Sequence, residues 1–372
     1  MMRLLCVLTG LFFCRQALVA ESIIISSPSE QISASLPDSN ISVRLTVNGR
    51  NIVDSNGNIM KLRGIYTRAE WLSSEQEVEM FKSWGINFVR ILLTFDPNYW
   101  QTVNDGKKDI NKRCILLEEN LRHMDQRIAW LEKNKIYFMM EIHWRALGVE
   151  DNLAKPDLLS KQCAQMYEIL AKRYSGANYL VGFCTFSEIH ISPHLYNDYN
   201  KIRKTIVDTV HKVDERFIVS LTGTWWGSVG SLSDKIYIDK PNTIYDFHFY
   251  SPRKFTHYRA SYGDLKYPGN MPIGWLNRAK LVDINYLGKE LKPAIDFSKK
   301  WNVPVWCGEF GAFNNAPDNS SDRWMRDVAE IFEKNSISWI IWRWKPGLQN
   351  VPDVWKELWQ DKNGNVDTAA WR

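Results

Sequence analysis

Two glutamates close apolar runs in this chain. Glu188 ends Cys184-Thr185-Phe186-Ser187-Glu188, and Glu309 sits within Trp306-Cys307-Gly308-Glu309-Phe310-Gly311. A buried charge without a partner is costly, so a carboxylate at the end of a buried run needs a reason. Comparable runs end or break at Arg90, at His143, at His248 with Tyr250, and at Trp342. Two carboxyls facing each other over one cleft can cleave a glycosidic bond. At a separation of about 5 Å one is nucleophile and the other acid/base, and configuration is retained; a wider gap admits water and inverts it. Taken singly, each residue has a plainer use: Glu309 as a salt-bridge partner of Arg90, the histidines and Trp342 as core, Tyr250 as a loop edge. The signal is their joint placement. No H-E-x-x-H or similar ligand spacing occurs, and no C-x-x-C, so neither a metal nor an organic cofactor is expected.

Positioning these residues requires parallel strands that all end at one face. Eight short apolar runs occur, at 61–65, 88–93, 137–142, 180–186, 217–222, 244–249, 303–307 and 338–342. Helical patterns separate most of them. Leu195, Tyr199, Ile202, Ile206, Val210 and Val213 share one helix face, with Pro193 at the start. Cys163, Met166, Leu170 and Tyr174 form another, with Gly176 as its stop. Buried strands alternating with amphipathic helices are joined by crossovers, and eight of them close into a (β/α)8 TIM barrel. The open doubly wound sheet is the rival, but no G-x-G-x-x-G follows the first strand. Barrel chemistry sits at the C-terminal ends of the strands, where the polar residues above are found. Asn48-Gly49 and Asn56-Gly57 predict an N-terminal β-hairpin. The long irregular stretch 250–285 after the sixth strand would border the site.

Composition agrees with a large folded enzyme. Of 372 residues, 45% are hydrophobic and 24% charged, which excludes disorder, collagen and a disulfide-stapled miniature fold. Basic residues (47) barely exceed acidic ones (42) and form no patch, so no nucleic-acid partner is expected. The 17 tryptophans suit either core packing or stacking on flat sugar rings. Arg3, the apolar run 4–13 and Ala17-Leu18-Val19-Ala20 read as a secretory signal over 1–20, followed by a Ser/Pro-rich lead-in over 21–42 and one catalytic domain over 43–372. The protein is therefore expected to be secreted (extracellular or periplasmic), to have no membrane partner, and to be a monomer. Cys6 and Cys14 leave with the signal. Cys184 and Cys307 lie in strand runs as buried thiols, while Cys114 and Cys163 could pair in an oxidising compartment.

The pattern resembles glycoside hydrolase family 5, the cellulase-like retaining (β/α)8 hydrolases of clan A, from about Val43 to Trp344. The most specific motifs are Gly308-Glu309-Phe310-Gly311 and His248-Phe249-Tyr250, supported by Gly64, Arg90, His143 and Trp342. The resemblance implies Glu309 as nucleophile and Glu188 as acid/base. Arg90 and Tyr250 would orient the nucleophile, His143 and His248 would shape the pocket, and Trp342 would lie beneath the sugar. On these roles Arg90 should lower the pKa of Glu309, whereas burial and the nearby nucleophile should raise that of Glu188. The chain departs from the family at Ser187-Glu188-Ile189, where Asn-Glu-Pro is usual. That Asn donates to the sugar 2-hydroxyl, and Ser187 is shorter. Segment 248–269 looks like the bacterial endoglucanases, and Trp225, Trp226 and Trp275 would add stacking surface. The expected activity is endo-β-1,4-glucan hydrolysis. The alternatives are endo-β-mannanase, a transglycosylase, or a weakly active or non-catalytic glycan-binding barrel.

Overall fold

The computed structural model describes residues 43–93, 118–142, 153, 155–257, 265–274, 276–312 and 316–344. The expectations for His143, Trp275, Cys114, the signal and lead-in over 1–42, and the chain beyond 344 lie outside these residues.

Twelve strands are described, β1 (Thr46–Asn48), β2 (Asn51–Val53), β3 (Arg63–Arg68), β4 (Phe88–Leu93), β5 (Tyr137–Ile142), β6 (Leu180–Cys184), β7 (Ile218–Thr222), β8 (Thr243–Phe249), β9 (Gly269–Ile273), β10 (Arg278–Val282), β11 (Val305–Phe310) and β12 (Ser338–Ile341). Eight of them form a closed barrel in the order β11-β12-β3-β4-β5-β6-β7-β8, every neighbouring pair parallel. This is the (β/α)8 barrel the sequence predicts. The longer helices are α1 (Glu75–Ser83), α2 (Glu118–Lys133), α3 (Pro156–Arg173), α4 (Tyr196–Val213), α5 (Ile284–Trp301) and α6 (Ser320–Lys334). None of the described helices is long and apolar enough to cross a membrane.

Period-two alternation sorts strand side chains between two apolar compartments. Val89, Ile91, Phe138, Met140, Tyr245 and Phe247 face outward and pack in the layer under the helices. Phe88, Leu92, Met139, Ile244, Trp306 and Ile340 fill the barrel interior. The helices follow the predicted spacing: α4 buries Tyr199, Ile202, Ile206 and Val210, after a 3-10 turn that begins at Pro193. Helix α5 is capped by Asp283, whose carboxylate accepts from the Tyr286 amide at 2.9 Å.

The N-terminal hairpin β1–β2 turns through Gly49 at φ +56°, in the left-handed region where glycine carries no steric cost. Leu45 and Ile52 join the interior cluster. Val47 N donates to Asn242 Oδ1 at 2.9 Å and Arg50 Nε to Ser298 Oγ at 3.0 Å. Asn242 immediately precedes β8, so the hairpin closes the N-terminal end of the barrel, opposite the polar strand ends.

The strand ends differ from expectation most at β3 and β11. β3 runs on to Arg68 and β11 to Phe310, because barrel pairing continues through polar residues that apolar pattern alone excludes. The stretch after β8 is not irregular throughout. It carries a short helix (Arg253–Thr256) and the antiparallel hairpin β9–β10. Residues 278–281 of β10 are all exposed, so no apolar alternation announces that strand.

Candidate active site

The site is built on a backbone irregularity in β11. Trp306 faces the interior and Cys307 the helix layer, so alternation would return Gly308 to the interior and send Glu309 outward. Instead the register with β8 shifts between Cys307 and Glu309. Such a bulge re-aims the next side chain, and Glu309 turns inward, almost fully buried. The geometry needs glycine before it: a Cβ on Gly308 would lie 2.1 Å from Asp246 Oδ1 and 2.3 Å from Arg90 Nη1.

Beneath the bulge lies a fully buried ionic cluster. Arg90 Nε donates to Glu141 Oε2 at 2.7 Å, and Nη1 to Asp246 Oδ2 at 3.0 Å and to the Gly308 carbonyl at 3.1 Å. Asp246 accepts from Gly308 N at 2.9 Å and Thr222 Oγ1 at 3.2 Å. Arg90 was expected to hold the Glu309 carboxylate. Its hydrogen bonds go elsewhere, and it fixes the peptide that carries Glu309. Burial pushes the Glu141 carboxyl up, against the pull of Arg90. Glu141 and Asp246 were not singled out in the sequence. Their signal is there: each is a carboxylate at an interior position of an otherwise apolar strand, two residues before His143 and His248.

Above the cluster the predicted residues converge. Glu309 Oε1 accepts from Ser187 Oγ at 3.2 Å, and Oε2 accepts from Tyr250 Oη at 3.1 Å. His248 Nδ1 lies 3.0 Å from Glu188 Oε1 and 3.4 Å from Glu309 Oε2. Donor atoms of Glu188, His248 and Glu309 all fall within 4.8 Å of one another. The Glu188 side chain is 43% exposed and that of Glu309 5%. Trp342 follows β12, its amide donating to Phe310 O at 3.0 Å and its ring 4.4 Å from Tyr66. Two carboxylates and an imidazole are also a donor set that suits a divalent cation.

Burial works against a charged His248, but the carboxylates of Glu309, Asp246 and Glu188 outweigh it and lift the imidazole to about 9. Glu309 reverses the sign expected from the sequence. Burial pushes it up to about 8; His248 and Arg90 pull it down, and Glu188 pushes it further up. The expectation weighed Arg90 without the cost of burial, which dominates here.

A family model described as Cellulase (glycosyl hydrolase family 5) matches residues 53–347. The chain belongs to glycoside hydrolase family 5. This family 5 protein is an O-glycosyl hydrolase. It is 27% identical over 301 residues to Endoglucanase C of Acetivibrio thermocellus, covering 73% of this chain and 84% of that one. Cellodextrinase A of Ruminococcus flavefaciens is 22% identical over 278 residues, covering 71% and 76%. The endoglucanase Cel5A of Thermotoga maritima has the same fold, with a TM-score of 0.61 at 19% identity over 84% of this chain and 97% of that one.

Beside Glu188, the family 5 barrel carries an aromatic ledge. Trp225 and Trp226 are each 49% exposed, so they do not anchor the loop by burial. Both sit in the left-handed region, at φ +53° and +54°. For non-glycine residues this costs on the order of 1–2 kcal/mol each. His190 stacks on Trp226 with centroids 4.2 Å apart, and the Trp226 amide donates to Ile189 O at 3.0 Å.

Proposed function

We propose that the protein is a secreted, retaining endo-β-1,4-glucanase in which Glu309 is the nucleophile and Glu188 the acid/base. The observation that carries this is the 4.8 Å grouping of Glu188, His248 and Glu309, the short spacing of double displacement. The difference in exposure supports the division of labour. Glu309 is buried and held at both oxygens by Ser187 and Tyr250, so it can attack one fixed carbon. Glu188 is half exposed, where a leaving group and then water can reach it.

In the first step a Glu309 oxygen bonds to the anomeric carbon, while Glu188 gives its proton to the departing glycosidic oxygen. In the second step Glu188 takes a proton from water, whose oxygen displaces Glu309 from the same carbon. The raised pKa of Glu309, close to Glu188, keeps one proton in the site at neutral pH. Forming the ester removes the nucleophile's charge, so Glu188, having given up its proton, stays ionised and can take the next one from water. His248, bonded to Glu188 Oε1, holds that side chain over the cleft. Trp342 and the Trp225–Trp226 ledge offer faces on which sugar rings stack.

The names of the relatives, an endoglucanase and a cellodextrinase, favour β-glucan over β-mannan. Ser187 keeps a transglycosylase or weakened variant in view, because it contacts Glu309 in place of the usual Asn donor to the sugar. Export rests on the signal-like residues 1–20, and protein retained inside the producing cells with residues 1–20 intact would refute it. Glu309→Gln and Glu188→Gln should each lower hydrolysis of soluble glucans, with mannans run alongside, by about a thousandfold or more while both proteins stay folded. Full activity in both variants would end the assignment. A rise in longer oligomers without new reducing ends would point to transfer.

A further inference from the structure

We propose that Tyr66 is a further specificity-determining residue, whose hydroxyl hydrogen-bonds one hydroxyl of the sugar that lies against Trp342 over Glu309. The inference rests on the preceding reading for the place of that sugar.

Tyr66 is an interior residue of β3, in register with Arg90 on β4, and its side chain is only 1% exposed. Its backbone is pinned, since the Trp344 amide donates to the Tyr66 carbonyl at 2.8 Å. Its ring is held by two neighbours. The Trp342 centroid lies 4.4 Å away, and Arg90 Cζ sits over the ring face at 5.6 Å. The two aromatic rings are tilted by 45° rather than stacked, so the phenol does not cap the indole face.

The hydroxyl is the part that packing does not explain. A buried polar group is normally hydrogen-bonded, and one that is not calls for a reason. Among the described residues no hydrogen bond engages Tyr66 Oη. Arg90 meets the ring by its face and gives its N–H groups to Glu141, Asp246 and the Gly308 carbonyl. Tyr250 makes the contrast: its hydroxyl is committed to Glu309 at 3.1 Å. Propping Trp342 needs only a ring, for which phenylalanine would serve.

The surroundings place that oxygen at the floor of the cleft. The charges acting on it are Glu141 and Arg90 in the buried layer, and Glu309 and Arg68 above. Burial and the two carboxylates push the phenol well above its ordinary value, against the two arginines. It therefore stays neutral and can both donate and accept, as a sugar hydroxyl can. A fixed, unbonded phenol discriminates well, because a ring lacking the matching hydroxyl leaves it unpaired.

The test uses 4-nitrophenyl β-cellobioside and its analogues deoxygenated at C2, C3 or C6 of the ring bonded to the nitrophenyl group. Each is compared between wild type and Tyr66→Phe, so the intrinsic reactivity of the compound cancels. The variant should lower kcat/KM for the parent by about tenfold, the scale of one hydrogen bond. Two analogues should suffer the same loss. The third, which lacks the partner hydroxyl, should be cleaved equally by both proteins. An unchanged parent, or an equal loss on all four compounds, would mean that Tyr66 serves packing alone and would overturn the proposal. The melting temperature of Tyr66→Phe should not fall; a fall would tie the hydroxyl to the protein and would overturn it too. If wild type turns over none of the four, the glucanase reading fails, and the same ratios taken from affinities by calorimetry decide this proposal.

Discussion

His248 lies between two carboxylates, and this sets the pH behaviour of the site. Its pKa is raised from 6.5 to about 9 in the fold, so its stabilising contribution is whole below pH 6.5 and is lost as pH climbs through about 9. Glu309, raised from 4.5 to about 8, acts in the same sense: the fold favours its protonated form, and that contribution fades as pH rises through about 8. The melting temperature should therefore fall between pH 6.5 and 9, and His248→Gln should flatten the upper part of that fall. Over the same range kcat/KM should drop as the carboxyl pair loses its last proton. A melting temperature that rises with pH there would contradict the arrangement. Ser187 makes a second point at this scale. Its hydroxyl donates to Glu309 Oε1 at 3.2 Å. Hydrogen bonds to charged groups contribute on the order of 1.5–3 kcal/mol, so Ser187→Ala should lower kcat/KM by about tenfold or more. Unaltered kinetics would mean that the contact does no chemical service.

The β11 bulge is the element on which the site depends. Gly308→Ala would drive a methyl group into Asp246 and Arg90, and neither can retreat, since both are fully buried and bonded to one another. Overpacking of this kind costs about 1–3 kcal/mol, and here it also displaces Glu309. The variant should melt lower in a thermal scan and lose most of its turnover, whereas wild-type behaviour would mean that the bulge has slack. The reach of the sequence is clearest here. Gly308-Glu309 marks the strand end by residue type, and the eight apolar runs give the barrel because period-two burial leaves a direct trace. The bulge leaves none, so the sequence marks Glu309 as a strand-end carboxylate and is silent on the contacts that support it. Arg90 looked like a partner for Glu309 because its place on β4 is legible, but its bonds to Glu141, Asp246 and the Gly308 carbonyl depend on three other strands. The hairpin β9–β10 was hidden for a related reason, its second strand being solvent-exposed and without an apolar face.

Across the whole molecule, two ends of one barrel do different work. The N-terminal end is apolar and closed by the hairpin β1–β2, with Leu45 and Ile52 continuous with the interior. The C-terminal end replaces that core by a layer of charge, Arg90, Glu141 and Asp246, on which Glu309 and His248 stand. The apolar half fixes the frame within which a charged layer can be held, and the charged layer orients two carboxyls at a spacing suited to double displacement. Membership of family 5 agrees with that division, and the half-exposed rings of Trp225 and Trp226 lie at the rim. The most direct test of the central claim is the configuration of the first product, followed by proton NMR during hydrolysis of a soluble β-1,4-glucan. The β-anomer should appear first and mutarotate slowly toward the equilibrium mixture. Initial release of the α-anomer would mean that water attacks directly, and the double displacement assigned to Glu309 and Glu188 would be wrong.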